Sequence, residues 1–208
     1  MEAHEWDQRY AEKELVWSSE PNVFVAQTVA DLPPGRALDV ACGEGRNAIW
    51  LASKGWKATG VDFSQVAIDK AKQLAQRAGV SVEWVCADVT AWQPPASSFD
   101  LILFSYLHLP PEKMTETLGH AKKALAPGGL LFIVGHAKKN LTEGYGGPPF
   151  SEVLYEPEDL LAWLEKTGGE SLAVERAENV VREVDTPEGP KRAIDTLVLA
   201  RAPREKDA

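Results

Sequence analysis

The chain has 208 residues, 44% of them apolar and 25% charged, with a formal net charge of −9. That is enough for one globular domain with a sizeable core, and the absence of any run of eighteen apolar residues argues against a membrane span. A surface of this sign does not attract phosphates, whose binding rests on lysine and arginine, so DNA and RNA are disfavoured as partners. The opening MEAHEWDQRY is acidic and polar, unlike a secretory signal, and points to the cytoplasm. Cys42 and Cys86 have no metal-ligand spacing and read as free thiols; no metal is expected.

Residues 2–12 read as a short acidic helix carrying Trp6, Arg9 and Tyr10, with Trp17 in the loop after it. A helix over 21–31 follows, with Pro21 in its first turn and Val23, Phe24, Val29 and Leu32 at helical spacing, stopped by Pro33-Pro34-Gly35. Strands and helices then alternate. Strand 36–41 leads to helix 45–54, closed by Gly55. Strand 56–61 leads to Asp62, and Ser64 is placed to cap helix 65–78, which ends at Gly79. Strand 80–86 alternates with period two, while the unbroken apolar run Leu101 to Phe104 predicts a central strand buried on both faces. Helix 111–125 breaks at Pro127-Gly128-Gly129, and Leu130 to Val134 form another strand. Residues 137–155 make a loop too long to be a mere connection. Helix 157–167 follows, and two strand-like runs, 171–184 and 191–201, flank Thr186-Pro187-Glu188-Gly189-Pro190, the turn chemistry of an antiparallel hairpin. Repeated strand–helix–strand units predict an α/β fold, a parallel sheet with helices on both faces. No internal repeat or second domain is visible.

The chain is organised around Ala37 to Ala48, ALDVACGEGRNA: a buried strand, a glycine turn at Gly43 and Gly45, and a helix start. Glycine serves where a strand reverses into a helix with its backbone against a ligand. Alone, the G-x-G-x-x-A spacing at Gly43 to Ala48 is weak evidence, since a NAD-binding Rossmann enzyme could carry it. Asp39 tips the choice, because a carboxylate so close would repel a pyrophosphate and favour a cofactor carrying a sulfonium and an ammonium. The order of acid, small residue and two alternating glycines points to S-adenosylmethionine.

This run resembles motif I of the class I S-adenosylmethionine-dependent methyltransferases. More narrowly, LDVACGEGRN followed by GVDFS is similar to the tellurite-resistance and thiopurine methyltransferase branch. The resemblance is strongest from Trp6 to Val134. It implies a Rossmann-like seven-stranded sheet, five parallel strands plus a C-terminal antiparallel hairpin, with an N-terminal helical lid. Ala41 stands where the family most often has its first glycine; the extra methyl is expected to demand an ordinary negative φ and to alter cofactor affinity without abolishing it.

Three acids fall at successive strand ends, where open α/β sheets bind ligands. Asp62 is placed to accept hydrogen bonds from ribose hydroxyls, and Asp88 from an adenine amino group with the Val89 backbone beside it. Phe63 and Phe104 are candidates to flank the adenine, with Ser64 beside them. The helix N-terminus after Gly45 is suited to a carboxylate, with Arg46 and Asn47 either assisting or capping the turn. Cys42 reads as a small spacer, since no base sits beside it. By resemblance, Trp6, Arg9 and Tyr10 fold over the cofactor and Trp17 walls the acceptor pocket; the alternative is an amphipathic helix docking its aromatics. Methyl transfer needs little acid–base help, so Tyr106, His108 and His136, just past the fourth and fifth strands, are candidates for an optional base. Arg182 aligns loosely with an arginine implicated near the acceptor in the tellurite-resistance branch.

The expected activity is methyl transfer to a small-molecule acceptor, a thiol, selenium or tellurium species or a small phenol or amine, leaving S-adenosylhomocysteine. A non-catalytic cofactor-binding module and a NAD-dependent oxidoreductase are the alternatives. The expected organisation is a single domain over 1–208: a lid segment (1–32), a cofactor core (36–136), and an acceptor loop, helix and hairpin (137–208). The sequence leaves the oligomeric state open.

Overall fold

A computed structural model describes residues 3–12, 15–16 and 18–204; Trp17 lies outside the described residues. In chain order the elements are α1 (Ala3–Glu12), α2 (Val23–Val29), β1 (Arg36–Val40), α3 (Arg46–Ser53), β2 (Lys57–Asp62), α4 (Gln65–Arg77), β3 (Glu83–Cys86) and β4 (Phe99–Ser105). They continue with α5 (Pro111–Ala124), β5 (Leu125–His136), α6 (Asn140–Glu143), a 3₁₀ turn (Ser151–Val153), α7 (Pro157–Lys166), β6 (Ala173–Val184) and β7 (Lys191–Arg201).

The strands form one sheet in the order β3-β2-β1-β4-β5-β7-β6. The first five run parallel; β7 pairs antiparallel with both β5 and β6. The five parallel strands and closing hairpin are therefore as the periodicity and turn chemistry predict. β4 shows why its apolar run is unbroken. Leu101 and Leu103 face one core with Phe24, Val25 and Leu51, while Ile102 and Phe104 face another with Met114, Leu118 and Leu160. All four are fully buried, each contributing roughly 1.5–3 kcal/mol by leaving water. Among the described residues no helix is long and apolar enough to cross a membrane.

Element ends differ from expectation for local reasons. Helix α2 starts two residues late because Asn22 outcompetes Pro21 as its start: the Asn22 Oδ1 accepts from the Phe24 and Val25 amides at 3.0 and 3.2 Å. Strand β3 loses its first three residues to the end of α4. There the Gly79 amide donates to Gln76 and the Val80 amide to Ala75, closing a Schellman motif with Gly79 at φ +67°. Strand β5 begins at Leu125, not Leu130. Pro127-Gly128-Gly129 is an irregularity inside it, where the pairing shifts from Phe99–Leu125 to Leu101–Leu130. The 137–155 segment is pinned by Asn140, which is buried, donates to the Gly146 carbonyl at 2.8 Å and accepts from the Ile194 amide at 2.7 Å.

Candidate active site

The crevice lies at the carboxyl ends of β1, β2 and β4, where the strand order reverses between β1 and β4. On the β1–β2 side two carboxylates dominate. Asp62, 5% exposed, spreads its oxygens over two loops: Oδ2 accepts from the Gly43 amide at 2.8 Å and Oδ1 from the Ser64 amide at 2.9 Å. Burial pushes its pKa up against the pull of those amides. Each oxygen keeps a lone pair for a further donor.

Asp39 is 1% exposed, and neither of its oxygens has a hydrogen-bond partner. Burial raises its pKa to about 7; the neighbouring Ala48 amide, Arg46 and Asn47 side chain oppose the rise, and Asp62 adds to it. An unpartnered buried carboxylate is costly unless a donor or cation arrives. The site therefore fits a ligand bearing both hydroxyls and a positive charge, as S-adenosylmethionine does.

The glycine turn divides its labour. At Gly45, φ is +78°, and a Cβ there would lie 2.3 Å from the Trp84 ring. Glycine is thus required at this position by packing as well as by backbone conformation. Gly43 (φ +54°) supplies the amide that Asp62 holds. Ala41 contradicts expectation: its φ is +55°, in the left-handed region. The chain must turn there to send the Cys42 amide to the Val61 carbonyl (2.9 Å), so the alanine adopts the strained glycine-like conformation instead of avoiding it. Cys42 is buried, and burial followed by Asp39 and Asp62 drives its thiol pKa well above the usual range, which suits a spacer and not a nucleophile.

Two other candidates take different places. Phe104 is fully buried between Leu38, Val40 and Leu118, so it has no surface to offer an adenine. Ser64 is fully buried too. Its hydroxyl caps α4 by accepting from the Ala67 amide and donates to Asp7 at 2.5 Å, so only its backbone faces Asp62. Phe63 remains half-buried. Asp88 is exposed at the end of β3, its Oδ1 bonded to the Thr90 amide at 2.9 Å, with Val89 buried beside it.

The N-terminal helix sits against the start of α4. Asp7 receives Ser64, Lys70 Nζ donates to the Tyr10 carbonyl at 2.5 Å, and the buried Glu44 accepts the Val16 amide at 3.0 Å. Trp6 and Tyr10 rings stand 5.6 Å apart, and Arg9 lies over Trp6 at 4.9 Å. Tyr10 is buried and close enough to Arg46 to raise its pKa, although burial lowers that pKa overall. The same guanidinium feels Tyr106, Asp39 and Arg182 and bonds Ser18 Oγ at 3.3 Å, so it stands between the two halves of the crevice. Asn47 and Asn22 extend the link. Asn47 Oδ1 accepts from the Asn22 amide at 2.9 Å, and Asn22 Nδ2 reaches the Tyr106 hydroxyl at 3.4 Å.

On the other side the four catalytic candidates, Tyr106, His108, His136 and Arg182, are brought together around or beside Asp195, a fully buried carboxylate on β7. The Tyr106 hydroxyl donates to Asp195 Oδ2 at 2.7 Å, and Arg182 Nε donates to the same oxygen at 2.6 Å and to the Tyr106 hydroxyl at 2.8 Å. Burial alone would raise the Asp195 pKa; His136, Arg182 and Tyr106 together hold it below the usual range. Burial and then Asp195 raise the Tyr106 phenol. Tyr106 also sits at φ +60°, a conformation that a bulky residue adopts only under constraint. His108 has both ring nitrogens engaged, Nδ1 with the Val153 carbonyl at 3.2 Å and Nε2 with the His136 amide at 3.4 Å. Burial, then His136, lowers its pKa to about 4. It packs beside Tyr155, itself fully buried. Asp195, Asn22 and Glu44 escape sequence reasoning. A lone acid in the apolar run of β7 is the local signal that could have found Asp195.

A methyltransferase domain family matches residues 37–129. A ubiquinone biosynthesis O-methyltransferase from Coxiella burnetii (strain RSA 493) is 36% identical over 98 residues. That match covers 46% of this chain but only 41% of the relative, so the chain matches less than half the length of that protein. A probable thiol methyltransferase 2 from Arabidopsis thaliana is 27% identical over 200 residues, 92% of this chain and 82% of the relative. TehB from Haemophilus influenzae superposes with a TM-score of 0.71 at 18% identity, over 95% of this chain and 67% of that one. Strand order and glycine turn, with a methyltransferase domain match over 37–129, make the chain similar to class I S-adenosylmethionine-dependent methyltransferases. Over more of its length it is similar to a thiocyanate methyltransferase 1 from Arabidopsis thaliana, at 27% identity over 75% of this chain and 70% of the relative.

Proposed function

We propose that the protein transfers a methyl group from S-adenosylmethionine to a small soft acceptor, foremost a thiol. The observation that carries the cofactor reading is the buried Asp39 carboxylate with both oxygens unfilled, beside Asp62 at the neighbouring strand end. The thiol methyltransferase relative, spanning nearly the whole chain, supports the acceptor class.

Asp62 binds the ribose hydroxyls, Asp88 and the Val89 backbone the adenine edge, and Asp39 the cationic end. The N-terminus of α3, with Arg46, receives the carboxylate. When bound, the cofactor supplies an electrophilic methyl on a sulfonium, a good leaving group. The chain then has to orient the acceptor in line and exclude water, which is where most of the acceleration lies. Residues 1–32 cover the cofactor, 36–136 hold it, and 137–208 shape the acceptor side, as one domain. The two cysteines, both free, suit a reducing cytoplasm.

Calorimetry with S-adenosylhomocysteine, together with mass detection of methylated products from a panel of thiols, selenols and tellurite, tests this. Saturable binding with methylthioether formation is expected. Binding without any product would leave a cofactor-holding module, and failure to bind would end the reading.

A further inference from the structure

We propose that His136 is a general base held by Asp195, so that this enzyme accepts acceptors that still carry their proton. The inference rests on the methyl-transfer reading and adds the acceptor's ionisation state to it.

Two buried atoms carry the argument. Asp195 Oδ2 is filled by Tyr106 and Arg182, but Oδ1 has no hydrogen bond; His136 Nδ1 has none either, and the two lie 3.2 Å apart. A carboxylate oxygen and a ring nitrogen satisfy each other only if the nitrogen bears the hydrogen. At 3.2 Å the two are in ion-pair contact without a formed hydrogen bond, and catalytic hydrogen bonds often tighten only in the complex with substrate. A proton on Nδ1 leaves the Nε2 lone pair free. Nε2 makes no hydrogen bond among the described residues, is not among the buried atoms, and belongs to a ring 12% exposed.

The surroundings fix the ring. Its Cα pairs across the sheet with Asp195. His108 stacks on it at 5.5 Å and 13°, and Tyr106 sits at 4.9 Å. Gly147 packs on the ring so closely that a Cβ there would lie 2.9 Å from Cδ2 and Cγ and 3.1 Å from Nδ1. The charged and titratable groups facing His136 are thus Asp195 and, behind it, Arg182 on β6, with Tyr106 and His108 from the loop after β4. Neither of the last two competes as base: the Tyr106 hydrogen is committed to Asp195, and both His108 nitrogens are occupied.

At neutral pH a thiol of ordinary acidity is only a few per cent ionised. His136 Nε2 takes the proton from sulfur while the acceptor sulfur forms its bond to the methyl carbon. The electron pair of the broken carbon–sulfur bond stays on the leaving sulfur, which becomes a neutral thioether. The imidazolium faces the Asp195 carboxylate and then gives its proton to water. Asp195, Tyr106 and Arg182 are positioning residues in this scheme.

Two measurements on the full chain test it. Long-range ¹H–¹⁵N spectra of imidazole-labelled protein near neutral pH should show His136 protonated at Nδ1 and bare at Nε2, with Asp195→Asn mixing the tautomers. A proton on Nε2 in the wild type overturns the proposal. Kinetically, His136→Ala should slow methylation of alkanethiols by about 100-fold or more. Transfer to thiocyanate or iodide, which carry no proton, should fall by less than about tenfold. Parallel losses on both acceptor classes, or no loss on thiols, overturn the base assignment alone. No product from any acceptor despite cofactor binding would remove the methyl-transfer reading, and the base with it.

Discussion

The two halves of the crevice are built in opposite ways. On the β1–β2 side the two dominant carboxylates and the glycine turn lie between Asp39 and Ser64, and Asp62 is held by backbone amides, Gly43 of the glycine turn and Ser64 two residues on. On the β4–β7 side the groups come from positions 106, 136, 182 and 195, and each carboxylate contact is to a side chain. The first half holds an unsatisfied charge, Asp39, while the second neutralises its own through Arg182 and Tyr106. A site left electrostatically open is suited to a charged ligand. A site that is closed on itself except at one imidazole edge is suited to a small acceptor.

The sharpest way to break this comparison is at Asp62. Asp62→Ala should cost two charge-assisted hydrogen bonds to ribose, about 3 kcal/mol or more in affinity for S-adenosylhomocysteine. Melting should stay cooperative but occur at lower temperature, because the Gly43 and Ser64 amides lose their acceptor. Unchanged affinity by calorimetry would move the ribose site elsewhere.

Asp39 offers an effect of similar size, and its sign is set by its raised pKa. Its folded pKa of about 7 lies above the ordinary carboxylate value of 3.8. The protonated form is therefore favoured by folding, giving a contribution on the order of 4 kcal/mol. That stability is present below about pH 4 and lost as pH rises through 7. Asp39→Asn should raise the melting temperature above pH 7 and flatten its pH dependence between 5 and 8. Cofactor affinity in the wild type should increase over the same interval, because the cationic end needs the ionised carboxylate. An affinity equally pH-dependent in Asp39→Asn would assign the titration to another group.

Gly45→Ala should destabilise by roughly 3 kcal/mol, combining the left-handed backbone with a collision against Trp84. Trp84→Ala in the same chain should return part of that loss in chemical denaturation; no rescue would mean that backbone conformation alone requires the glycine. Smallest is Ala41→Gly. Relief of the positive φ, partly offset by the freer unfolded chain, should stabilise by about 0.5–1 kcal/mol. A destabilised variant would show that the Ala41 methyl contributes packing that the backbone argument omits.

The sequence by itself determined the sheet class, the hairpin, the glycine turn and the ladder of Asp39, Asp62 and Asp88. Each depends on neighbours within a few positions, where turn geometry and periodicity act directly. It also placed Tyr106, His108, His136 and Arg182 near chemistry, but only as separate candidates. The structure alone decided that they meet at Asp195. Their convergence depends on β7 inserting between β5 and β6, with Asp195 in register with His136. Register between strands some sixty positions apart is set by the packing of both sheet faces together, so no local pattern in the chain encodes it. The same holds for Ala41 and Ser64. Their residue types were plain, but what each does depends on where the adjoining strand and N-terminal helix come to rest.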